Sequence, residues 1–360
     1  MRHRFYKYIF LINVLTIFTV VVAVVFLFGK EKDERVPAAI TSPLLNSDVL
    51  DASFCKEAAS AVLIDAKSGA VLYQKNAHKR LPMASTTKIM TALAVIEKSN
   101  PSDIVTVSPF AANTEGSSIY LEAGEKITVK DLLYGMLLES GNDAATALAE
   151  GVFGSVEECC NYINGRCHDM GLVNTAFSNP HGLDNENHYT TAYELALITK
   201  YALRNDTFRK IVSSESYVTE GEKRRYFSNH NRLLKSFDGA IGVKTGYTSK
   251  AGRCLVSAAS RNGEEYIAVT LHDSLDWQDH KDMLAFAFDN FSGFEVAAKD
   301  SFILRVGFEN FEPLDDVYIT TTADGNFCLN YVFSVSEDTA AVTYSTDNAT
   351  LGSFALKKQR

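Results

Sequence analysis

A long uncharged run near the start of the chain constrains its topology more than any other feature. Residues 9–28 carry no charged side chain and follow the basic segment MRHRFYKY, residues 1–8. A helix of about 20 residues is ~30 Å long, the hydrocarbon thickness of a bilayer. Positive charge before such a segment favours a cytoplasmic N-terminus. We therefore predict a cytoplasmic tail over residues 1–8 and a single transmembrane anchor over residues 9–28, with the rest of the chain outside the cell membrane.

A cleavable signal sequence is the alternative for the same segment. Signal peptides usually have a shorter apolar region, about 7–15 residues, and end in small residues near an A-x-A-like site. Here the apolar run passes directly into GKEKDER, residues 29–35, with no such site. The length favours an uncleaved anchor followed by a linker over residues 29–52, while cleavage would release a secreted protein.

Charge and cysteine content exclude several classes of partner. The formal net charge is −9, and no cluster of lysine or arginine is large enough to form a basic face for nucleic acid. The cysteine spacing lacks the C-x-x-C pattern of a zinc site, so we expect no metal and no cofactor, and read most cysteines as small buried residues. The six cysteines are Cys55, Cys159, Cys160, Cys167, Cys254 and Cys328.

Hydrophobic periodicity predicts an α+β fold, with helices flanking an antiparallel sheet. Two strand-like runs surround Lys67-Ser68-Gly69, and two more are joined across Asn262-Gly263, a strong hairpin signal. We assign residues 53–295 to this domain and the strand-rich residues 296–360 to a small C-terminal β domain. The predicted hairpins cover residues 60–75 and 253–272. The predicted helices cover residues 127–140, 144–153, 190–204 and 280–291, and Thr128, three residues before Asp131, is the expected N-cap of the helix at residues 127–140.

A lysine stands at the start of a helix that is otherwise apolar. The segment LPMASTTKIMTALAVIEK, residues 81–98, places Ser85 three residues before Lys88, on the same helix face. A serine nucleophile needs a base within hydrogen-bond reach, and lysine is a base only when neutral. Burial and the positive end of the helix dipole both disfavour the ammonium, and free amides at a helix start can hold an oxyanion. Ser-x-x-Lys nevertheless arises by chance in most chains of this length.

Two further motifs raise the probability that this pair is functional. Ser140-Gly141-Asn142 lies in a short break between two predicted helices, where polar side chains can project into a cleft. Lys244-Thr245-Gly246 lies on a predicted strand, where glycine lets a ligand approach closely. Each motif alone is more simply a turn or a strand end. All three in this order, on a helix start, an inter-helix loop and a strand, are hard to obtain by chance.

This motif set is found in penicillin-binding proteins and class A β-lactamases. The chain resembles the low-molecular-weight penicillin-binding proteins, in particular the serine-type D-alanyl-D-alanine carboxypeptidases of the bacterial cell wall. The resemblance covers roughly residues 55–295 and includes the segments at residues 179–203 and 244–260. It implies a β-lactamase-like catalytic domain with a β domain after it, and acyl transfer as the chemistry.

The resemblance also implies roles for the catalytic residues. Ser85 would attack the carbonyl between the two terminal D-alanines and form an acyl-enzyme, with Lys88 taking its proton. Ser140 would relay a proton to the leaving amine. Asn142 would bind the peptide and orient Lys88, and Lys244 would add positive potential and hold Ser140.

Substrate contacts are implied in the same way. Thr245 would help to bind the terminal carboxylate of the substrate, next to Gly246. The backbone amides of Ser85 and Tyr247 would form the oxyanion hole. The partners would be the peptidoglycan stem peptide and β-lactam antibiotics, which should acylate Ser85.

The sequence departs from the family at one point that bears on substrate recognition. The family commonly carries an arginine just before the helix that follows the last two strands, where it aids carboxylate binding. Residues 272–283 read HDSLDWQDHKDM, without arginine. Lys281 or Arg253 would have to substitute for it.

Three other functions compete with this interpretation. A class A β-lactamase would use a glutamate in an E-x-x-L-N-like loop, but Glu194 begins ELALI, lacks the asparagine and falls inside a predicted helix. A catalytically idle wall-binding module would not require a buried lysine beside a serine. A metallopeptidase built on His181 and His188 lacks the H-E-x-x-H pattern, and loop polar residues are the simpler account.

Overall fold

Strands and helices of the described chain have the following bounds. The computed structural model describes residues 54–220, 223–298, 303–306, 309–314, 316–322, 330–335, 340–345 and 350–358. The strands are β1 (Ser60–Asp65), β2 (Val71–Lys75), β3 (Ile104–Thr106), β4 (Lys126–Thr128), β5 (Ser216–Val218), β6 (Tyr226–Ser228), β7 (Ala240–Thr248), β8 (Gly252–Arg261), β9 (Glu264–Leu271), β10 (Phe291–Ala297), β11 (Leu304–Val306), β12 (Glu309–Pro313), β13 (Val317–Thr322), β14 (Asn330–Val335), β15 (Ala340–Ser345) and β16 (Thr350–Lys358). The helices are α1 (Lys88–Lys98), α2 (Pro109–Ala112), α3 (Val129–Leu138), α4 (Asn142–Phe153), α5 (Val156–Asp169), α6 (Ala192–Leu203), α7 (Asp206–Val212), α8 (Leu233–Ser236) and α9 (Asp276–Asn290), and a 3₁₀ turn, Ala84–Thr87, precedes α1.

A five-stranded antiparallel sheet organises the N-terminal part. Its strands pair in the order β2-β1-β9-β8-β7, so β7 is an edge strand and β1, the first strand of the described residues, lies beside β9. The predicted hairpins β1–β2 and β8–β9 are confirmed, the second turning at Asn262-Gly263, where both residues have positive φ. All six residues of β1 are buried, which is typical of a strand covered on both faces.

Helices cover both faces of this sheet and divide the core in two. On one face, α1 is surrounded so completely that every residue from Lys88 to Val95 is buried. On the other face, α9 packs Met283, Leu284 and Ala287 against Leu63 and its neighbours. Burying a side chain of this size contributes about 1.5–3 kcal/mol, so this core can also contain a few costly polar groups. Large residues on the α1 side include Leu132, Met136, Leu148 and Ile198.

Side-chain caps fix the starts of α3 and α6. Thr128 accepts a hydrogen bond from the Asp131 amide at the start of α3, as the sequence predicts, and Thr191 does the same for Glu194 at the start of α6. Such a cap contributes about 1 kcal/mol.

Helix α3 ends at Leu138, and Ser140 takes a left-handed conformation with φ +64°, which turns the chain into α4.

The last part of the described chain is made of strands, as the sequence predicts. Strand β10 pairs with β13, and a second sheet has the order β11-β12-β16-β15-β14. Strand β10 spans the predicted domain boundary at residues 295/296. The hydroxyls of Ser68 and Thr320 lie 2.5 Å apart, so the β1–β2 turn touches this C-terminal part.

Some sequence predictions concern residues outside the described ranges. The predicted tail (1–8), anchor (9–28) and linker (29–52) lie outside the described residues, as does Cys328. Within the described ranges, no helix has the length and hydropathy needed to cross a bilayer, and no cluster of histidine, cysteine and carboxylate residues could hold a metal ion. The other cysteines, which are Cys55, Cys159, Cys160, Cys167 and Cys254, are buried and free.

Candidate active site

Ser85 and Lys88 meet because the chain forms a 3₁₀ turn before α1. In a 3₁₀ turn, side chains three residues apart lie directly above one another. Ser85 is in this turn and Lys88 is the first residue of α1, and the Lys88 Nζ lies 2.8 Å from the Ser85 Oγ. The sequence predicts the pairing from α-helical spacing. In the structure the two side chains meet across the tighter 3₁₀ turn instead, in which Ala84 has φ +48°.

The Lys88 amine is fully buried among three oxygen atoms. It contacts Ser85 Oγ, and it donates to Asn142 Oδ1 at 2.7 Å and to the His181 carbonyl at 2.6 Å. Burial, and secondly the positive charge of Lys244, hold the pKa of Lys88 well below its ordinary value. A neutral amine has two N–H groups and one lone pair. Because the amide and the carbonyl oxygens can only accept, they take both N–H groups, and the lone pair is left for the Ser85 hydroxyl.

Ser140 and Lys244 form a second pair beside the first. Lys244 Nζ donates to Ser140 Oγ at 3.1 Å and to the Thr245 carbonyl at 3.0 Å. Lys244 lies on β7 and is buried, and burial lowers its pKa to about 7. Near neutral pH this amine is therefore divided between its charged and neutral forms.

Asn142 is fixed at the start of α4 so that its oxygen faces Lys88. Its side-chain Nδ2 donates to the Glu115 carbonyl at 2.7 Å, and its backbone amide donates to the Ser117 carbonyl at 2.6 Å. Because the amide nitrogen is held on one side, Oδ1 is presented to the Lys88 amine on the other.

Asp143 is a site-organising residue that the sequence reasoning missed. Its fully buried carboxylate accepts from the amides of Ile119 and Leu121, each at 3.1 Å, and from Ser118 Oγ at 2.7 Å. These bonds join the 115–121 loop to the start of α4, and so hold the carbonyls that orient Asn142. An acidic residue directly after the Ser-Gly-Asn motif was the available signal.

Strand β7 passes close beside the Ser85 turn. A Cβ at Gly246 would lie 2.9 Å from the backbone nitrogen of Ser85, closer than real Cβ atoms come. In the structure, therefore, the glycine allows the Ser85 turn to pack closely against β7. The sequence predicts a different reason for this glycine, namely that it lets a ligand approach the strand. Thr245 and Tyr247 flank this contact, and Tyr247 is exposed.

An open cleft of about 470 Å³ lies in front of these groups. The buried residues Lys88, Lys244 and Asn142 are not part of its lining. Of the two cations suggested in place of the missing arginine, Arg253 lines the cleft and Lys281, on α9, is not part of the lining. The lining residues are Ser85, Ser117, Ser140, His230, Thr245, Gly246, Tyr247, Arg253, Cys254, Asp276 and Trp277.

The residues that support competing functions have structural roles. Glu194 lies inside α6, as the sequence predicts, and accepts from the Asn174 amide and from Thr175 Oγ1. His188 Nδ1 accepts from the Ser178 amide, which leaves Nε2–H to donate to Thr87 Oγ1 at 2.7 Å. Burial lowers the pKa of this histidine to about 4. Glu194 therefore holds the 174–175 loop, and His188 contacts the Ser85 turn through Thr87.

Comparison with known proteins identifies the family of this chain. Residues 51–274 match the model of peptidase family S11, described as D-alanyl-D-alanine carboxypeptidase. The chain is 40% identical over 260 residues to the D-alanyl-D-alanine carboxypeptidase DacF of Bacillus subtilis, a match that spans 69% of this chain and 67% of that protein.

Solved structures of a penicillin-binding protein and a DD-transpeptidase are also similar to this chain. Penicillin-binding protein 5 from Haemophilus influenzae matches with a TM-score of 0.73 and 28% identity, over 84% of this chain and 97% of that one. A mutant of the DD-transpeptidase of Streptomyces K15 matches with a TM-score of 0.62 and 33% identity, over 64% of this chain and 98% of that one. The second match shows that the catalytic fold occurs in a chain much shorter than this one.

Proposed function

The chain belongs to the D-alanyl-D-alanine carboxypeptidase family and is therefore a serine peptidase, and from this premise we propose a role for each residue of the cleft. Its reaction removes the terminal D-alanine from the stem pentapeptide of peptidoglycan. The observation that carries the assignment is the Lys88 amine, which is fully buried and lies 2.8 Å from Ser85 Oγ, with its pKa held well below the ordinary value by burial.

Acylation begins at Ser85. Its Oγ attacks the carbonyl carbon between the two terminal D-alanines while Lys88 Nζ takes the hydroxyl proton. The arrangement supports this step because both Lys88 N–H groups are committed to Asn142 and His181, which directs the lone pair at Ser85. The backbone amides of Ser85 and Tyr247 bind the oxyanion as it forms.

Breakdown of the tetrahedral intermediate needs a proton on the leaving nitrogen. Ser140 gives its hydroxyl proton to the amine as the C–N bond breaks, and takes up in return the proton that Lys88 accepted from Ser85. This returns Lys88 to its neutral form before deacylation. Lys244 holds Ser140 in place at 3.1 Å. Asn142 orients Lys88 and the peptide, and Thr245 binds the terminal carboxylate. D-Alanine then leaves, and the peptide remains as an ester on Ser85.

Deacylation uses water. A water molecule loses a proton to Lys88 and adds to the ester carbonyl, after which Ser85 Oγ leaves and takes that proton back. β-Lactams present a carbonyl of the same kind to Ser85, and we propose that they acylate it through the same residues.

We also propose that residues 9–28 anchor the protein in the cell membrane, with residues 1–8 in the cytoplasm. Residues 29–52 form the linker, residues 53–295 the catalytic domain and residues 296–360 the C-terminal β domain, all on the outer side. The uncharged run and the basic residues before it support this topology. The intact mass of the membrane-extracted protein tests it, since loss of the first ~30 residues would reveal a cleaved signal peptide instead.

Release of D-alanine tests the proposed activity. The chain without its first 28 residues is incubated with a pentapeptide ending in D-alanyl-D-alanine, and in parallel with benzylpenicillin. We expect stoichiometric D-alanine and tetrapeptide, slow release of penicillin from the enzyme, and no peptide turnover by the Ser85→Ala variant. Faster turnover of penicillin than of peptide would instead assign the chain as a β-lactamase, and peptide turnover by Ser85→Ala would exclude the proposed nucleophile.

A further inference from the structure

Arg253 is the permanent cation of the cleft wall. Among the described residues that line the cleft, only this one carries a positive charge at every physiological pH. It lies on β8 directly opposite Tyr247 of β7, so its side chain is on the same sheet face as Thr245, two residues before Tyr247. Diagonal neighbours of this kind have Cα atoms about 7–8 Å apart, within the reach of an arginine side chain.

An aspartate holds the guanidinium in one orientation. Arg253 Nε donates to Asp276 Oδ2 at 3.0 Å, and Nη2 donates to Asp276 Oδ1 at 2.6 Å. The Asp276 side chain is 6% exposed, whereas that of Arg253 is 43% exposed. The Arg253 carbonyl also accepts from the Asp273 amide at 2.9 Å. The backbone of Arg253 is therefore tied to Asp273, just before α9, and its side chain to Asp276, the first residue of α9.

This pairing leaves the guanidinium able to bind an anion. A guanidinium has five N–H groups, and the two bonds to Asp276 leave three. The buried side of the ion pair is the carboxylate and the exposed side is the arginine, so the remaining N–H groups are accessible from the cleft. A fork of this geometry suits a carboxylate, which can accept two parallel hydrogen bonds.

We propose that Arg253 binds the terminal carboxylate of the substrate together with Thr245, and that Asp276 is the positioning residue for this arginine. The inference rests on the proposed function, because a carboxypeptidase substrate ends in a free carboxylate beside the scissile bond. The segment at residues 272–283, which lacks the arginine common in the family, supplies the acceptor Asp276 instead. The cation comes from the neighbouring strand.

The test compares two peptides that differ only at the end. Wild type and Arg253→Gln are assayed on a peptide ending in D-alanyl-D-alanine and on its C-terminal amide. We expect the ratio of kcat/KM for the free acid to kcat/KM for the amide to fall about 10–100-fold in the variant, the usual effect of losing a charge-assisted hydrogen bond. Arg253→Lys, which keeps the charge but not the fork, should recover part of the ratio.

Two matched variants control for general electrostatics. Arg232→Gln removes an exposed cation that lies 5.7 Å from the Trp277 ring but outside the cleft lining, and Lys281→Gln removes the other candidate cation. Both should keep the wild-type ratio. An equal fall in either of them would overturn the assignment to Arg253, as would an unchanged ratio in folded Arg253→Gln.

Folding is controlled by a second pair of variants. Arg253→Gln leaves the buried Asp276 carboxylate without its partner, so the double variant Arg253→Gln/Asp276→Asn is measured as well, with melting temperatures for all. We expect the double variant to show the same low ratio as the single one. Asp276→Asn alone should raise KM for the free acid more than for the amide, which a purely structural role would not do.

A second substrate pair separates failure of this inference from failure of the proposed function. Acylation by benzylpenicillin and by its methyl ester reports on carboxylate recognition without any peptide turnover. If wild type releases no D-alanine, the proposed function fails, while a lower acid-to-ester ratio in Arg253→Gln would still support the anion site. An unchanged ratio would overturn the inference, whatever the peptide assay shows.

Discussion

At the scale of single residues, the chemistry depends on how one amine is surrounded. Lys88 is buried in an apolar helix, where an ammonium would be costly, and its two N–H groups have fixed acceptors. Asn142 Oδ1 and the His181 carbonyl therefore decide the direction of the lone pair as well as the position of the nitrogen atom. This explains why both acceptors are themselves held, Asn142 by Glu115 and Ser117, and His181 by its own loop.

Replacing Lys88 by methionine should abolish the base while keeping the volume of the side chain. General-base catalysis contributes about 10²–10⁴-fold, so we expect the acylation rate constant for a fluorescent penicillin to fall by that factor. Lys98→Met, at the exposed end of the same helix, is the matched control and should acylate normally. Normal acylation by folded Lys88→Met would show that another group takes the Ser85 proton.

The pH dependence of acylation follows from the same amine. Lys88 must be neutral to accept a proton, so the rate should rise with pH through its pKa and level off well below the ordinary lysine value of about 10.5. Stopped-flow acylation between pH 5 and 10 measures this. A rate still rising at pH 10 would mean that Lys88 has an ordinary pKa.

Lys244 should shift that profile. Its positive charge is one cause of the low pKa of Lys88, and its own pKa of about 7 means that it is charged mainly below that pH. In Lys244→Met the acidic limb of the profile should therefore move to higher pH, whatever happens to the maximum rate. An unmoved limb would contradict coupling between the two amines.

At the scale of elements, the site is assembled where three segments touch. The Ser85 turn is enclosed between β7 on one side and the Asn179–Gly182 loop on the other. Gly246 permits the first approach and Gly182 the second. A Cβ at Gly182, where φ is +98°, would lie 2.0 Å from the Ala84 carbonyl oxygen and 2.9 Å from the Ser85 nitrogen. Both contacts involve backbone atoms, which cannot move aside without moving the nucleophile.

Gly182→Ala should therefore damage both stability and activity. Backbone strain and overpacking each cost about 1–3 kcal/mol, so we expect urea denaturation to show a loss of about 2–6 kcal/mol in the free energy of unfolding, together with slower acylation. Gly154→Ala is the matched control, because it has φ +88° with nothing within 4 Å of the added methyl group. It should lose only the conformational term of about 1–2 kcal/mol and acylate normally. Equal effects of the two substitutions would show that the Gly182 contact does not matter.

At the scale of the whole molecule, the cleft is contained in the part of the chain up to α9. Trp277 is the last lining residue in sequence. The Streptomyces K15 structure, 98% of which matches 64% of this chain, indicates that the catalytic fold needs no C-terminal sheet. The C-terminal strands touch the catalytic part through β10 and through the Ser68–Thr320 contact.

Ending the chain at residue 298 should therefore keep acylation while lowering stability. Strand β10 loses its partner β13, so the melting temperature should fall, but the acylation rate constant at 25 °C should stay close to that of the longer protein. Ser68→Ala in the longer protein is the control for the loss of one contact. Loss of acylation in a folded, shortened protein would assign the C-terminal strands a role in shaping the cleft.

The sequence allowed much of this molecule to be predicted, with a clear limit. Local signals sufficed for the hairpins at Lys67-Ser68-Gly69 and Asn262-Gly263, and for the Thr128 cap. The pairing of β1 with β9 could not be predicted, because strands about 200 residues apart carry no local signal of adjacency. The same limit applies to the site. Ser85 and Lys88 form a spaced side-chain motif that the sequence displays, whereas His181 contacts Lys88 through a backbone carbonyl, which every residue type possesses.

Mapping the acyl-enzyme is the most direct test of Ser85 as the nucleophile. The protein is incubated with benzylpenicillin, quenched, and its intact mass and proteolytic peptides are measured beside those of Ser85→Ala and of the neighbouring control Thr86→Ala. We expect one penicillin per chain, attached to Ser85, in wild type and in Thr86→Ala, and none in Ser85→Ala. An adduct on any other residue, or an unmodified wild-type protein, would contradict the assignment.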